Sequence, residues 1–193
     1  MRKLYSLLFV LFVSFSTVNA QGIYKFWGMT EYGGADGIGT IFSTSATGDD
    51  FQSKHHFRII TPGAQPKFSE LTEYNGKFYS VTNQGGISGS GVIFEWDPTT
   101  NVYTKKIDFL NDGQFPNGSL TLSGGKFYGM TEQGGPTNSG VIFEWDPATN
   151  IYTKKITFSN NAGRNPKGNL TAYNGKLYGM TENGGSNADG VIF

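Results

Sequence analysis

The stretch GVIFEWDP, Gly91 to Pro98, recurs letter for letter at Gly140 to Pro147, and Gly190-Val191-Ile192-Phe193 spells its first four letters again. From Ser90 to Phe109 and from Ser139 to Phe158 the two copies agree at 17 of 20 positions, differing only at Thr99/Ala148, Val102/Ile151 and Asp108/Thr157. Self-similarity at a period near 50 residues decides the architecture before any local assignment, because each unit is then one supersecondary element. Working outward, Lys77-Phe78-Tyr79, Lys126-Phe127-Tyr128 and Lys176-Leu177-Tyr178 recur at spacings of 49 and 50, with Lys25-Phe26-Trp27 lying 52 before the first. Each leads to a glycine pair: Gly33-Gly34, Gly85-Gly86, Gly134-Gly135 and Gly184-Gly185. Pro66, Pro116 and Pro166 punctuate the units at intervals of 50. The first unit diverges, with Gly39-Thr40-Ile41-Phe42 followed by Ser43-Thr44-Ser45-Ala46 in place of Glu-Trp-Asp-Pro.

One unit reads as four short strands. Ser119 to Leu122 passes through Ser123-Gly124-Gly125 into Lys126 to Thr131, a hairpin on a glycine turn. Val141 to Trp145 and Ile151 to Phe158 follow, joined by Asp146-Pro147-Ala148-Thr149-Asn150. In that turn Asp accepts from amides two residues on and Pro presets φ. In the last strand strict alternation places Tyr152, Lys154, Ile156 and Phe158 on one side and Thr153, Lys155 and Thr157 on the other, with the lysines suited to an outermost strand. A four-stranded meander cannot bury its faces alone and must stack on its neighbours. The expected fold is therefore all-β: a β-propeller-like array of four-stranded antiparallel blades, incomplete at about three and a half blades. Blade boundaries fall at 21–66, 67–116, 117–166 and 167–193. An elongated β-solenoid is the alternative, though its units are usually shorter. Because ring closure needs further blades, the natural product is expected to be longer.

Residues 1–20 have the make-up of a secretory signal peptide: Arg2-Lys3, an apolar run from Leu7 to Val13, and Val18-Asn19-Ala20 for cleavage after Ala20. The apolar run is shorter than the ~20 residues a membrane span requires. With no cysteine, the chain has neither a disulfide framework nor thiol ligands. The whole chain carries 15 basic and 15 acidic residues, and no basic cluster exceeds a Lys-Lys pair, which argues against nucleic acid as a partner. Its 28 Gly, 16 Phe, 10 Tyr and 3 Trp suit short strands separated by tight turns.

Gly124 to Phe143 and Gly168 to Phe193, with their Asn-Gly-Lys-Leu-Tyr-Gly, Thr-x-x-Gly-Gly and Gly-Val-Ile-Phe blocks, resemble the GloVer tandem repeat of secreted bacterial proteins, over essentially all of residues 22–193. A weaker likeness, through Asn174 to Tyr178 and the Asp146-to-Asn150 turn, is to kelch repeats. The resemblance implies export and, commonly, a C-terminal sorting or anchoring segment, expected to lie outside these 193 residues. It implies no shared catalytic motif.

Glu31, Glu132 and Glu182 occupy one repeat position, with Asn83 in the second unit. If that strand end opens on one propeller face, the four form an arc of oxygen ligands for a sugar or a cation; the alternative is a solvated turn position copied with the repeat. Equal positions on successive blades supply equal environments, not the unequal pair that glycoside hydrolysis needs. Trp96, Trp145, Tyr103 and Tyr152 read as packing between blades before sugar platforms. His55-His56, neighbours on a strand, point to opposite faces and make a poor metal pair. Gly34 to Gly39 and Asn187 to Gly190 read as blade turns, since they lack the acidic spacing of a calcium loop. No catalytic residue, metal ligand or cofactor is assigned. The expected role is a secreted or cell-surface, non-enzymatic module binding an extracellular glycan or protein. The alternatives are part of a propeller-based polysaccharide hydrolase or lyase with its catalytic residues elsewhere, and a structural spacer.

Overall fold

In each of the last three units the first turn is set by two consecutive residues with positive φ: Asn75-Gly76 (53° and 74°), Gly124-Gly125 (58° and 77°) and Asn174-Gly175 (47° and 72°). Positive φ at both central positions is the type I′ geometry whose twist matches that of the strands it joins. The computed structural model that shows this describes residues 25–58 and 62–193. The signal-peptide reading of residues 1–20 lies outside the described residues.

The described strands form three successive sheets and a partial fourth. The first comprises β1 (Lys25–Thr30), β2 (Thr40–Ser45) and β3 (Gln52–His56). The second runs in order through β4 (Thr72–Tyr74), β5 (Lys77–Thr82), β6 (Val92–Asp97) and β7 (Val102–Asp108). The third repeats it with β8 (Thr121–Ser123), β9 (Lys126–Thr131), β10 (Val141–Asp146) and β11 (Ile151–Thr157). All pairings within these sheets are antiparallel. The first sheet has three strands among the described residues; the positions equivalent to a leading strand precede Lys25 and lie outside them.

A fourth, partial sheet follows. Here β13 (Thr171–Tyr173) pairs β14 (Lys176–Tyr178), and β12 (Arg164–Pro166) pairs β15 (Thr181–Asn183). Phe193 and Gly179 exchange backbone hydrogen bonds of 3.0 and 3.1 Å, so Val191 to Phe193 begins a third strand. The array is thus all-β and propeller-like, its last blade only partly filled.

Successive sheets meet along their first strands. The Thr72 hydroxyl donates to Leu120 O at 2.8 Å and the Thr121 hydroxyl to Leu170 O at 2.6 Å, which puts these short strands on the inner side of the array. Between the sheets lie three apolar cores. Trp96, Phe94 and Val92 pack with Ile41 and Phe57 of the first unit, with Trp27 5.0 Å from Trp96. Tyr79, Val81 and Ile93 pack with Phe127, Phe143 and Trp145 of the third. Met130, Ile142 and Phe158 pack with Leu170, flanked by Leu177 and Phe193. Each sheet thus covers the one before it, as stacked units must.

One expectation is corrected. The outer strand does not alternate strictly, because a β-bulge sets Ile142 against Ile156 but Phe143 against Lys154, and the same shift occurs between Ile93 and Phe94. Lys155 is the extra residue, so beyond it the faces exchange: Ile156 is half exposed and Thr157 turns inward.

Candidate functional site

The four repeat-related residues Glu31, Asn83, Glu132 and Glu182 stand at or just beyond the ends of β1, β5 and β9 and within β15. What gathers their surroundings is a glycine. A Cβ on Gly140 would lie 3.0 Å from Glu132 O and 2.8 Å from Pro166 Cδ; on Gly91, 3.1 Å from both Asn83 O and Pro116 Cδ; on Gly39, 3.2 Å from Glu31 O and 2.9 Å from Pro66 Cδ. With positive φ and no side chain, these glycines let the proline-bearing crossover of the next unit lie against the strand end. Asn117 is thereby carried beside the Asn83 amide and Lys167 beside the Glu132 carboxylate.

At two of these joints the result is a continuous polar belt. Asn83 Nδ2 donates to Asn117 Oδ1 at 2.9 Å and to Pro116 O at 3.2 Å. Asn117 Nδ2 in turn donates to Glu132 Oε2. Lys167 Nζ lies 3.8 Å from Glu132 Oε1 and 2.6 Å from Glu182 Oε2. Asn117 and Lys167 therefore each bridge the belt position of the preceding unit to that of their own. Asn83 and Asn117 are buried, whereas the Glu182 side chain is 49% exposed, so the belt opens toward solvent along its length. Glu31 stands apart from this chain of contacts, with Tyr32 as its hydrogen-bond partner. Of the four residues singled out in the sequence, Asn83, Glu132 and Glu182 join the belt and Glu31 does not; Asn117 and Lys167 were not singled out. Their signal was the position directly after each unit's proline.

A second constellation was missed altogether. In the strand VIFEWD, Glu95 is 9% exposed and takes Lys77 Nζ at 2.7 Å, the Tyr79 hydroxyl at 2.9 Å and Lys106 Nζ at 3.1 Å. Glu144 repeats it with Lys126 at 2.8 Å, Tyr128 at 2.9 Å and Lys155 at 3.5 Å. Burial pushes the Glu95 carboxyl up, but the hydrogen bonds from Lys77, Lys106 and Tyr79 outweigh it and hold it below the usual value. Lys126 and Tyr128 hold Glu144 down in the same way. Both are fixed anions, unsuited to donating a proton; their work is to tie three strands of a sheet together.

The aromatic residues serve packing. Trp96 and Trp145 are fully buried, Phe127 stacks on Trp145 at 5.5 Å, and Phe143 stacks on Tyr152 at 5.3 Å, so neither indole offers a face to a sugar. The two histidines diverge as expected for neighbours on a strand. His55 stacks on Tyr103 at 4.6 Å while His56 is exposed. Burial, with the charges of His56 and Arg58, lowers the His55 imidazole to about 4. A depression of about 450 Å³ between the second and third units is lined by Ile107 to Gly113 and Tyr152, and none of Glu31, Asn83, Glu132 and Glu182 contributes to it.

Among solved structures, TolB from Acinetobacter baumannii is similar in fold, with a TM-score of 0.54 at 14% identity. The match covers 87% of this chain and 38% of TolB, so the chain spans well under half of that protein's length. A Mycobacterium tuberculosis puromycin-hydrolyzing peptidase matches at a TM-score of 0.45 and 11% identity, covering 81% of this chain and 23% of that one. No curated protein matches the sequence. The profile of the Gloeobacter/Verrucomicrobia repeat spans residues 14–193, nearly the whole length, in agreement with the four units seen in sequence and structure. The chain belongs to the Gloeobacter/Verrucomicrobia repeat family.

Proposed function

We propose that this protein is a secreted or cell-surface, non-enzymatic repeat module that binds a glycan or protein ligand through the face bearing Glu31, Asn83, Glu132 and Glu182. The observation that carries the reading is the belt: carboxylates, carboxamides and a lysine ammonium, repeated from unit to unit and held in place by one another. Such groups accept and donate hydrogen bonds to hydroxyls and peptide groups without strongly favouring either charge. Nothing in the belt pairs an acid with a base in unlike surroundings, which is why binding is preferred to hydrolysis. Export is supported by the leader-like character of Met1 to Ala20. The kelch-like turn Asp146-Pro147-Ala148-Thr149-Asn150 supports a scaffold that presents loops on a rigid array.

The test is binding of the purified chain to a glycan array and to a panel of extracellular proteins, repeated with Glu132→Gln/Glu182→Gln. Ligand capture that weakens at least tenfold in the double variant is the expected outcome. Capture that ignores both substitutions puts the ligand on another face.

A further inference from the structure

The three crossovers that reach the belt are built alike except for one. Three residues separate Pro116 from Leu120 (Asn117-Gly118-Ser119) and Pro166 from Leu170 (Lys167-Gly168-Asn169), but four separate Pro66 from Leu71 (Lys67-Phe68-Ser69-Glu70). Hydrogen bonds locate the extra residue. Glu70 N donates to Ser119 Oγ at 2.8 Å and Ser119 N to Asn169 Oδ1 at 2.5 Å, so Glu70, Ser119 and Asn169 hold one structural position. The insertion therefore lies within Lys67-Phe68-Ser69, opposite Asn117-Gly118 and Lys167-Gly168. Ser69 is anchored by its hydroxyl to Val81 O at 3.0 Å, which leaves Phe68 as the bulged residue.

Phe68 is 70% exposed and has φ of 53°, a left-handed backbone that favours glycine or asparagine over a bulky side chain. A single exposed apolar residue ordinarily needs no explanation. This one combines an added residue, a costly backbone and a ring turned to solvent, where the other units use glycine. Gln65 and Phe115 in these crossovers are also left-handed, but among the described residues Phe68 alone joins that backbone to an added residue and an exposed ring, and such a combination points to function.

Its surroundings indicate the ligand. Pro66 Cδ and the Glu31 backbone oxygen both lie against Gly39, so the bulge begins one residue beyond the joint that carries Glu31. Lys167 is engaged by two carboxylates at the equivalent joint. Among the described residues Lys67 makes no ion pair with Glu31, and its ammonium lies 5.4 Å from the centroid of the Phe68 ring. An aromatic ring with an ammonium over one face, close to a strand end that bears a carboxylate, suits a pyranose: the C–H face of the sugar stacks on the open face of the ring, and its hydroxyls accept from the lysine and donate to the carboxylate. We infer that Phe68, with Lys67 and Glu31, forms a stacking subsite for one ring of a neutral glycan, present once in the array. This rests on the reading of the belt face as the ligand face and narrows the ligand to carbohydrate.

The experiment titrates the purified chain calorimetrically with cellohexaose, xylohexaose, mannohexaose and laminarihexaose, together with Phe68→Gly and Phe68→Trp, and records a thermal melt of each protein. At least one hexasaccharide binds, Phe68→Gly weakens it at least tenfold, and Phe68→Trp retains it. The Tm of Phe68→Gly equals or exceeds that of the parent, because glycine relieves the left-handed backbone and no buried contact is lost. A Tm that falls in Phe68→Gly assigns the ring a structural job and overturns the subsite. Sugar binding indifferent to Phe68→Gly overturns the subsite while leaving the ligand face standing, as does binding of an extracellular protein with none of the four sugars. Binding of neither sugar nor protein removes both readings.

Discussion

Glu95 and Glu144 occupy the same place in two copies of one sequence, yet Glu95 lies in a fully flanked sheet interface and Glu144 in a more open one. The copies act as mutual controls. Glu95→Gln leaves Lys77 and Lys106 without an anion and is expected to cost about 1–2 kcal/mol, whereas Glu144→Gln costs about half as much because one of its lysines, Lys155, is 47% exposed where Lys106 is 25%. Urea unfolding of the two variants measures the difference, and equal losses would make burial irrelevant to these clusters. Both carboxyls are held below their ordinary value, so their contribution is present above the unfolded-state pKa and fades as pH drops through the lower folded value. His55 behaves in the opposite chemical sense with the same direction in pH. Its imidazole takes a proton near 6.5 in the unfolded chain and only at about 4 in the fold, so stability declines as pH falls across that interval. Its partial exposure discounts the effect to about 1–2 kcal/mol. Replacing it by Phe, which can keep the stack on Tyr103, should flatten the decline in urea midpoint between pH 7 and pH 4.5 relative to the parent. A variant that declines in parallel with the parent would show that the imidazole is not shielded.

At the scale of the element, glycines that look interchangeable in sequence are not. A Cβ on Gly134 (φ 98°) would stand 2.7 Å from the Gly113 Cα, a backbone atom that cannot swing away, whereas one on Gly124 (φ 58°) meets open space. Gly134→Ala is therefore expected to cost at least about 2–3 kcal/mol and Gly124→Ala about 1 kcal/mol, the latter from backbone strain alone. Thermal melts separate them, and equal shifts would contradict the close approach. The hairpins, the Asp-Pro turns and the stacking of units were legible because each is written by local chemistry and then repeated, so that Asn75-Gly76 and Asn174-Gly175 confirm one another. The bulge at Lys155 was not legible, since one extra residue in an outer strand leaves no mark on composition and only shifts the phase of the alternation. Glu95 and Glu144 were overlooked for a related reason. A strand reading of VIFEWD records the period of its side chains but not that Lys from both neighbouring strands will converge on the one acid among them. The belt was half legible: its carboxylates repeat visibly at one position. Asn117 and Lys167 lie 15 residues before the Glu of their own units, and only the Pro-on-glycine packing brings them there.

For the whole molecule, the stacking rule sets a gradient of stability along the chain. In the second sheet Tyr79, Val81 and Ile93 are covered by the third, at 5%, 1% and 0% exposure. Their counterparts in the last sheet, Tyr178, Met180 and Ile192, stand at 40%, 60% and 82%. Since these sheets draw their stability from apolar burial between units, the last one, covered on one face only among the described residues, opens at lower cost. The repeat supplies its own control, because Lys126-Phe127-Tyr128-Gly129-Met130-Thr131 and Lys176-Leu177-Tyr178-Gly179-Met180-Thr181 differ at one residue and so have nearly the same intrinsic exchange chemistry. Native-state hydrogen exchange should find the amides of 176–181 exchanging at least about tenfold faster than those of 126–131, with no dependence on protein concentration. Equal protection in the two hexapeptides would mean that the apolar face of the last sheet is covered in solution. A gap that closes as concentration rises would identify the cover as another copy of the chain docking its Phe26 and Phe51 face there, in the head-to-tail sense in which each sheet already packs on the next.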